Sequence, residues 1–262
     1  MLRPKKSLGQ NFLIDKNIIK KIIELGNIQN EDSVLEVGPG TGNLTNEILT
    51  KNPKNIYVVE KDKLLSNELE KKYNNIIKIY NTDILNFDES KITSDKLIIF
   101  GNLPYNISTQ ILVNWIINEN RFKCIKKLIL MFQKDVADRI VSKVNDKTYG
   151  RISIISNWRL NIKKCFDVPN NCFFPKPKVE SSILEFTPKK EYIKFKNPRN
   201  LEHITNVFFS KKRKMINKAL NELFKNNLKL IENLNLDFKN RPSNLNFDTY
   251  YNLTRIFESS RN

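Results

Sequence analysis

Short apolar runs alternate with amphipathic stretches along the first 180 residues. Ser33–Val37, Ile56–Glu60, Ile76–Tyr80, Leu97–Phe100 and Leu128–Phe132 are four or five residues long and rich in Ile, Val and Leu. That length and composition predict strands buried on both faces. Between them, Asn43–Lys51, Lys63–Tyr73 and Ser108–Asn118 predict helices. Strand–helix alternation implies an α/β fold, a parallel sheet covered by helices on both sides. Two later runs, Arg151–Trp158 and Ser181–Phe186, are expected to extend the sheet, in the antiparallel sense. From there the pattern turns helical, over Leu201–Phe209, Lys211–Phe224 and Phe247–Phe257. The polar, basic stretch Thr187–Asn200, with two prolines, marks a boundary. The expected organisation is an α/β domain over residues 1–187 and a small basic helical domain over 188–262.

Composition narrows the function. The chain has 262 residues and a formal net charge of +17, of which +8 lies in the last 82 residues. Such a charge points to a polyanion, nucleic acid before an anionic membrane face. Enrichment in Lys, Asn and Ile from an AT-rich genome is the bland alternative. Three cysteines, at 124, 165 and 172, form no CxxC pair, which argues against a disulfide framework or structural zinc and fits a reducing cytoplasm. The single histidine, His203, borders an apolar helical run and reads as structural; no metal is expected. No apolar run nears the ~18 residues of a membrane span, and the N-terminus lacks the apolar core of a secretory signal.

Glycine is scarce and concentrated. Three of seven glycines fall in Glu36-Val-Gly-Pro-Gly-Thr-Gly42, between a predicted strand and a predicted helix. Glycine there permits a tight turn and close backbone approach to a ligand. The next strand ends in Glu60, about twenty residues on, placed to accept from ribose hydroxyls. A dinucleotide fingerprint would carry a third glycine at position 43, where this chain has asparagine. The spacing suits a nucleoside cofactor without pyrophosphate, such as S-adenosylmethionine; a dinucleotide and a merely structural turn remain open. Asn81-Thr-Asp83-Ile84-Leu85 follows the third strand, where Asp83 would accept from an adenine amine and Ile84 pack on its ring. A helix-capping Asp83 is the competing reading.

Gly101-Asn-Leu-Pro-Tyr105 ends the fourth strand, where ligands of open α/β sheets bind. Its residues fit methylation of an exocyclic amine, whose lone pair is delocalised into the base. The Asn102 side-chain oxygen and the Leu103 carbonyl can both accept from that amine and stabilise developing positive charge. Pro104 fixes the backbone, and Tyr105 can stack on an extruded base. Phe173-Phe-Pro-Lys-Pro-Lys-Val179 sets an aromatic beside a rigid cationic turn; Phe173 is the candidate second face of a base sandwich, or a plain apolar anchor. Phe209-Ser-Lys-Lys-Arg-Lys-Met215 is expected to open a helix with four consecutive cations, a phosphate-binding patch or a solvated face.

With these residues in hand, the sequence resembles the KsgA family of ribosomal RNA adenine N6,N6-dimethyltransferases over nearly its whole length. The likeness runs from Lys6-Ser-Leu-Gly-Gln-Asn-Phe-Leu13 through EVGPGTGNLT, VVEKD, NTDIL, GNLPYNIST and FFPKPKVESS to FFSKKRKMINKAL. Two departures are the Lys211–Lys214 run, where the family has a double arginine, and Glu180, where aspartate is common. The resemblance implies a class I S-adenosylmethionine-dependent methyltransferase, a Rossmann-like seven-stranded, mostly parallel sheet with a C-terminal all-helical domain. It implies that Asn11 and Leu13 line the cofactor site as a lid and that Gly38 and Gly40 contact the methionine part. It further implies Glu60 on the ribose, Asp83 and Ile84 on the adenine, and Asn102 at the reactive end. Asn102, Leu103, Pro104, Tyr105 and Phe173 would hold the target base. RNA contacts are expected from Lys5, Lys6, Lys176, Lys178, Lys211, Lys212, Arg213 and Lys214. The implied activity is dimethylation of two adjacent adenosines near the 3′ end of small-subunit (16S) ribosomal RNA. S-adenosylhomocysteine is the coproduct, and the implied setting is a cytoplasmic monomer acting on the assembling 30S particle, without membrane. Alternatives are an erythromycin-resistance-type methylase of large-subunit RNA, a non-catalytic RNA-binding or transcription-factor-like relative, and, remotely, a dinucleotide oxidoreductase.

Overall fold

Four of the five apolar runs form buried strands of the sheet, but Ile76–Tyr80, expected to be buried, gives only a three-residue strand at the sheet edge, Lys78–Tyr80, with Ile76 67% exposed. The computed structural model describes residues 4–5, 9–225 and 227–260. Its chain begins with β1 (Phe12–Leu13), α1 (Lys16–Gly26), β2 (Ser33–Val37), α2 (Asn43–Leu49), β3 (Asn55–Val59), α3 (Lys63–Tyr73) and β4 (Lys78–Tyr80). It continues through β5 (Leu97–Asn102), α4 (Ser108–Ile117), α5 (Glu119–Lys123), β6 (Ile125–Gln133) and α6 (Lys134–Val141). Then come α7 (Arg151–Arg159), β7 (Leu160–Val168), β8 (Phe173–Phe174) and β9 (Ser181–Pro188). Seven strands make one sheet in the order β4-β3-β2-β5-β6-β9-β7. Neighbours from β4 to β6 pair in parallel, and β9 runs antiparallel to β6 with Leu128 opposite Phe186. β2 is buried at all five positions, as a strand covered on both faces must be. The core beside it gathers Ile19, Ile22 and Ile23 of α1, Leu44 and Ile48 of α2, and Leu69 of α3. The strand order reverses between β2 and β5, so a crevice opens at their carboxyl ends.

Arg151–Trp158, expected to be a strand, is the helix α7. Ser153, Ile154, Ile155, Ser156 and Trp158 are all buried, so no polar face marks the helical period. Ser153 Oγ accepts from Gly150 N–H (3.1 Å) and donates to Arg139 O (2.6 Å), closing the first turn. The next strand, β7, begins only at Leu160.

Contacts divide the chain into two compact units, Met1–Ala137 with Asn161–Pro188, and Asp138–Leu160 with Lys189–Asn262. The third crossing, at 188/189, falls beside the expected cut at 187/188, but Asp138–Leu160 joins the C-terminal segment. There α7 packs with α8 (Arg199–Ser210) and α10 (Phe247–Ser259), and Tyr251 Oη donates to Ile154 O at 2.9 Å. The basic stretch after Pro188 is pinned within this unit. Trp158 stacks on Phe195 at 4.7 Å and donates to Ile193 O at 2.7 Å. The Glu258 carboxylate accepts from Lys196 and Asn197 N–H at 3.0 and 2.8 Å.

The cations of Lys211–Lys214 do not open a helix. α8 stops at Ser210, whose hydroxyl takes the Val207 carbonyl (2.8 Å), and Lys211 leaves helical geometry at φ −129°, ψ 52°. A turn follows, Lys214 N–H to Lys211 O at 2.8 Å, and α9 begins only at Asn217–Phe224. In a helix Lys211 and Lys214, three apart, would also face each other as like charges.

Candidate active site

The carboxyl ends of β2, β3, β4 and β5 surround one cavity of about 180 Å³. Gly38, Gly40, Glu60, Asp83, Ile84 and Asn102 to Tyr105 all line it. The loop after β2 is fixed by Gly38 N–H to Val59 O and Gly42 N–H to Pro39 O, both 2.9 Å. Gly40 has φ +58°, and a Cβ there would meet the Phe12 ring at 2.8 Å. This is a cradle that a side chain would fill. Gly42 has φ +79°, and its absent Cβ makes room for the Tyr73 hydroxyl, which donates to Gly42 O at 3.0 Å.

Glu60 is buried at the end of β3, and that burial raises its pKa. The Asp62 and Gly40 N–H groups, at 2.8 and 3.2 Å from its oxygens, act in the opposite sense. Each carboxylate oxygen has a second acceptor site, so Glu60 retains capacity for a ligand hydroxyl. Asp83 accepts from Leu85 N–H (3.0 Å) and from Lys61 Nζ (2.8 Å). Partial burial pushes its pKa upward, but these donors outweigh it and hold the carboxyl below its ordinary range. Asp83 thus caps the turn and also lines the cavity. Val37, Val59, Leu65, Ile84 and Leu85 supply the apolar walls. Acidic acceptors, a glycine cradle and an apolar slot fit an adenosyl ligand.

At the other end, Asn102 Nδ2 donates to Asn11 O (2.8 Å). Its side-chain oxygen is then the acceptor end of the amide, with no donor to it among the described residues. The Pro104 carbonyl is taken by Ile107 N–H (3.1 Å), which closes a turn into α4. Tyr105 Oη shares a 2.6 Å hydrogen bond with Ser181 Oγ, which anchors the ring by its edge.

The N-terminal segment straps this cavity. Asn43 Nδ2 donates to Leu13 O at 2.7 Å. Lys5 Nζ and Gln10 Nε2 donate to Asp62, which also caps α3.

The profile of the ribosomal RNA adenine dimethylase family matches residues 1–259. The chain belongs to this family. It is 50% identical over 260 residues, 99% of each chain, to ribosomal RNA small subunit methyltransferase A of Pelagibacter ubique. Identity to the protein of the same name from Mycoplasma mobile is 40%, covering 94% of this chain and 95% of the relative. The solved dimethyladenosine transferase of Plasmodium falciparum superimposes with a TM-score of 0.81 at 27% identity, over 95% and 98% of the two chains. The 23S rRNA methyltransferase ErmE shares the fold, with a TM-score of 0.68 at 21% identity over 94% and 99%. The fold is thus the class I methyltransferase fold.

Against the roles implied by family resemblance, two residues lie elsewhere. Leu13 and Phe173 are cross-strand partners in the β1·β8 ribbon, and both are buried in the core. Strand alternation turns their neighbours the other way. Phe12 lines the cavity in place of Leu13. Phe173, 3% exposed, offers no stacking face there, whereas Phe174, paired with Phe12, is 58% exposed. Gln10, Phe12, Lys61, Thr82, Leu85 and Asn106 also line the cavity and were not foreseen. Their adjacency to GQNFL, Glu60, Asp83 and NLPY was the available signal.

The expected RNA contacts divide as well. Lys5, Lys176, Lys178, Lys211, Lys212, Arg213 and Lys214 are all exposed, but two of them already hold partners. Lys5 is engaged with Asp62, and Lys212 Nζ donates to the Lys147 and Tyr149 carbonyls at 2.9 and 3.0 Å. Lys6 lies outside the described residues.

Proposed function

We propose that this chain dimethylates the N6 amino groups of adenosines in small-subunit ribosomal RNA, with S-adenosylmethionine as methyl donor. One observation carries the reading. A single cavity joins the glycine cradle and acidic acceptors to Asn102, Leu103, Pro104 and Tyr105, as direct transfer between two bound nucleosides requires. Full-length relatives bearing the small-subunit name support that substrate over large-subunit RNA.

When bound, S-adenosylmethionine supplies an electrophilic sulfonium methyl and departs as S-adenosylhomocysteine. Glu60 accepts from the ribose hydroxyls, Ile84 and Leu85 pack on the adenine ring, and Asp83 accepts from its amine. Gly38 and Gly40 let the backbone approach the methionine part. Tyr105 stacks on the extruded target base while Ser181 fixes the ring's position. Asn102 Oδ1 and the Leu103 carbonyl accept from N6, draw its lone pair out of the ring, and stabilise positive charge as the nitrogen attacks in line. The methylated nitrogen is acidic and yields its proton to water; with a second molecule of S-adenosylmethionine in place of S-adenosylhomocysteine, the one remaining N–H is held by one of the two acceptors for the second transfer. Phosphate contacts fall to the exposed cations Lys176, Lys178, Lys211, Arg213 and Lys214. Two adjacent adenosines near the 3′ end, in a small subunit still assembling in the cytoplasm, are the proposed target of a monomeric enzyme.

Asn102→Ala tests this assignment. It should abolish methyl transfer to small subunits lacking the modification while RNA affinity stays within about threefold. Wild-type turnover by the variant would remove Asn102 from the chemistry.

A further inference from the structure

A charged cluster lies buried in the sheet unit, behind the cavity wall. Glu89 is 0% exposed and Arg121 5%. Arg121 Nε donates to Glu89 Oε2, and Arg121 Nη2 and Trp115 Nε1 both donate to Oε1, each at 2.7 Å. Arg121 Nη2 also donates to the carbonyl of Ile84 at 3.2 Å. Ile84 belongs to the cavity wall.

Stability is a poor reason for such a pair. Desolvating two charges offsets most of their attraction, and well-packed apolar replacements are often neutral or better. An apolar pair, however, cannot grip the Ile84 carbonyl. Ile84–Asn86 is a single 3₁₀ turn closed by two bonds, Asn86 N–H to Asp83 O at 2.9 Å and a longer one from Phe87 N–H to Ile84 O at 3.3 Å. One turn does not hold its own position. From the cavity side it is also held by the Lys61–Asp83 pair, whose lysine side chain is 57% exposed. Trp115 lies on α4, the helix that follows the Asn102–Tyr105 loop. The same carboxylate therefore ties the turn to the helix behind the target-base loop.

We propose that Glu89 and Arg121 are positioning residues. They hold the turn of Asp83, Ile84 and Leu85 at the depth an adenine ring requires, and so set affinity for the adenosyl end of the cofactor without touching it. This rests on reading the cavity as the S-adenosylmethionine site.

The test measures S-adenosylmethionine affinity by calorimetry on the full chain, beside thermal melts and KM for small subunits. In the Glu89→Met, Arg121→Met double variant the core stays filled. Arg121→Lys keeps the charge but cannot reach both Glu89 oxygens and Ile84. Each is expected to weaken S-adenosylmethionine binding about tenfold, with KM for the RNA substrate within twofold. A purely structural role would lower the melting temperature and leave that split unmoved. Wild-type affinity for S-adenosylmethionine in either folded variant overturns the proposal. A wild-type chain that binds no S-adenosylmethionine refutes the underlying reading instead.

Discussion

Glu36 lies in β2, immediately before the glycine loop, and is fully buried. Burial pushes its carboxyl from an ordinary 4.5 up to about 7, and Glu60 adds to the rise. Thr45 Oγ1, donating at 2.6 Å, and the Lys72 charge act in the opposite sense without cancelling it. The folded chain therefore binds this proton more tightly than the unfolded chain. The stability it contributes is present below about pH 4.5 and is lost as the pH rises through 7. At 1.36 kcal/mol per unit, the full effect is about 3 kcal/mol. Glu36→Gln keeps the shape and an acceptor for Thr45 but never ionises. Relative to the wild type, the variant should gain roughly 2–3 kcal/mol between pH 5 and pH 8.5. In urea this moves the midpoint difference by about 1 M, for a slope near 2 kcal/mol/M. Trp115 lies in the sheet unit and Trp158 in the helical one, so a Trp158→Phe background isolates the relevant transition. Midpoints of Glu36→Gln and wild type that run parallel across this pH range would show that Glu36 holds no raised pKa in the folded chain.

Phe173→Ala, which empties a core position, should cost about 3–5 kcal/mol of stability, whereas Phe174→Ala should leave the melt within about 0.5 kcal/mol of wild type; equal melts would return Phe173 to the cavity. Lys212→Met should lower the melting transition of the helical unit, because two backbone carbonyls lose their donor. Lys211→Met should leave the melt unchanged and weaken RNA binding in a salt-dependent way, read by filter binding at two salt concentrations.

The parallel sheet was legible because β2, β3, β5 and β6 are buried on both faces and their composition reflects that directly. Its site was legible because glycine spacing, strand-end acids and NLPY are local patterns. What failed was non-local. α7 is buried nearly all round, so it lacked a period and passed for a strand. Which residue of Phe12–Leu13 and of Phe173–Phe174 faces the cavity depends on a two-residue ribbon whose strands lie some 160 positions apart. The cations of Lys211–Lys214 read as a helix until Lys212 is seen to bind the carbonyls of Lys147 and Tyr149. Glu89 and Arg121 carry no motif; only folding brings them under Ile84.

The most direct measurement is transfer of a tritiated methyl group from S-adenosylmethionine to small subunits lacking the modification, followed by mapping of the labelled nucleotides. N6,N6-dimethyladenosine is expected at two adjacent positions near the 3′ end of the small-subunit RNA, with no label in large-subunit RNA. Label confined to large-subunit RNA, or a product that stops at one methyl group, would contradict the proposed function.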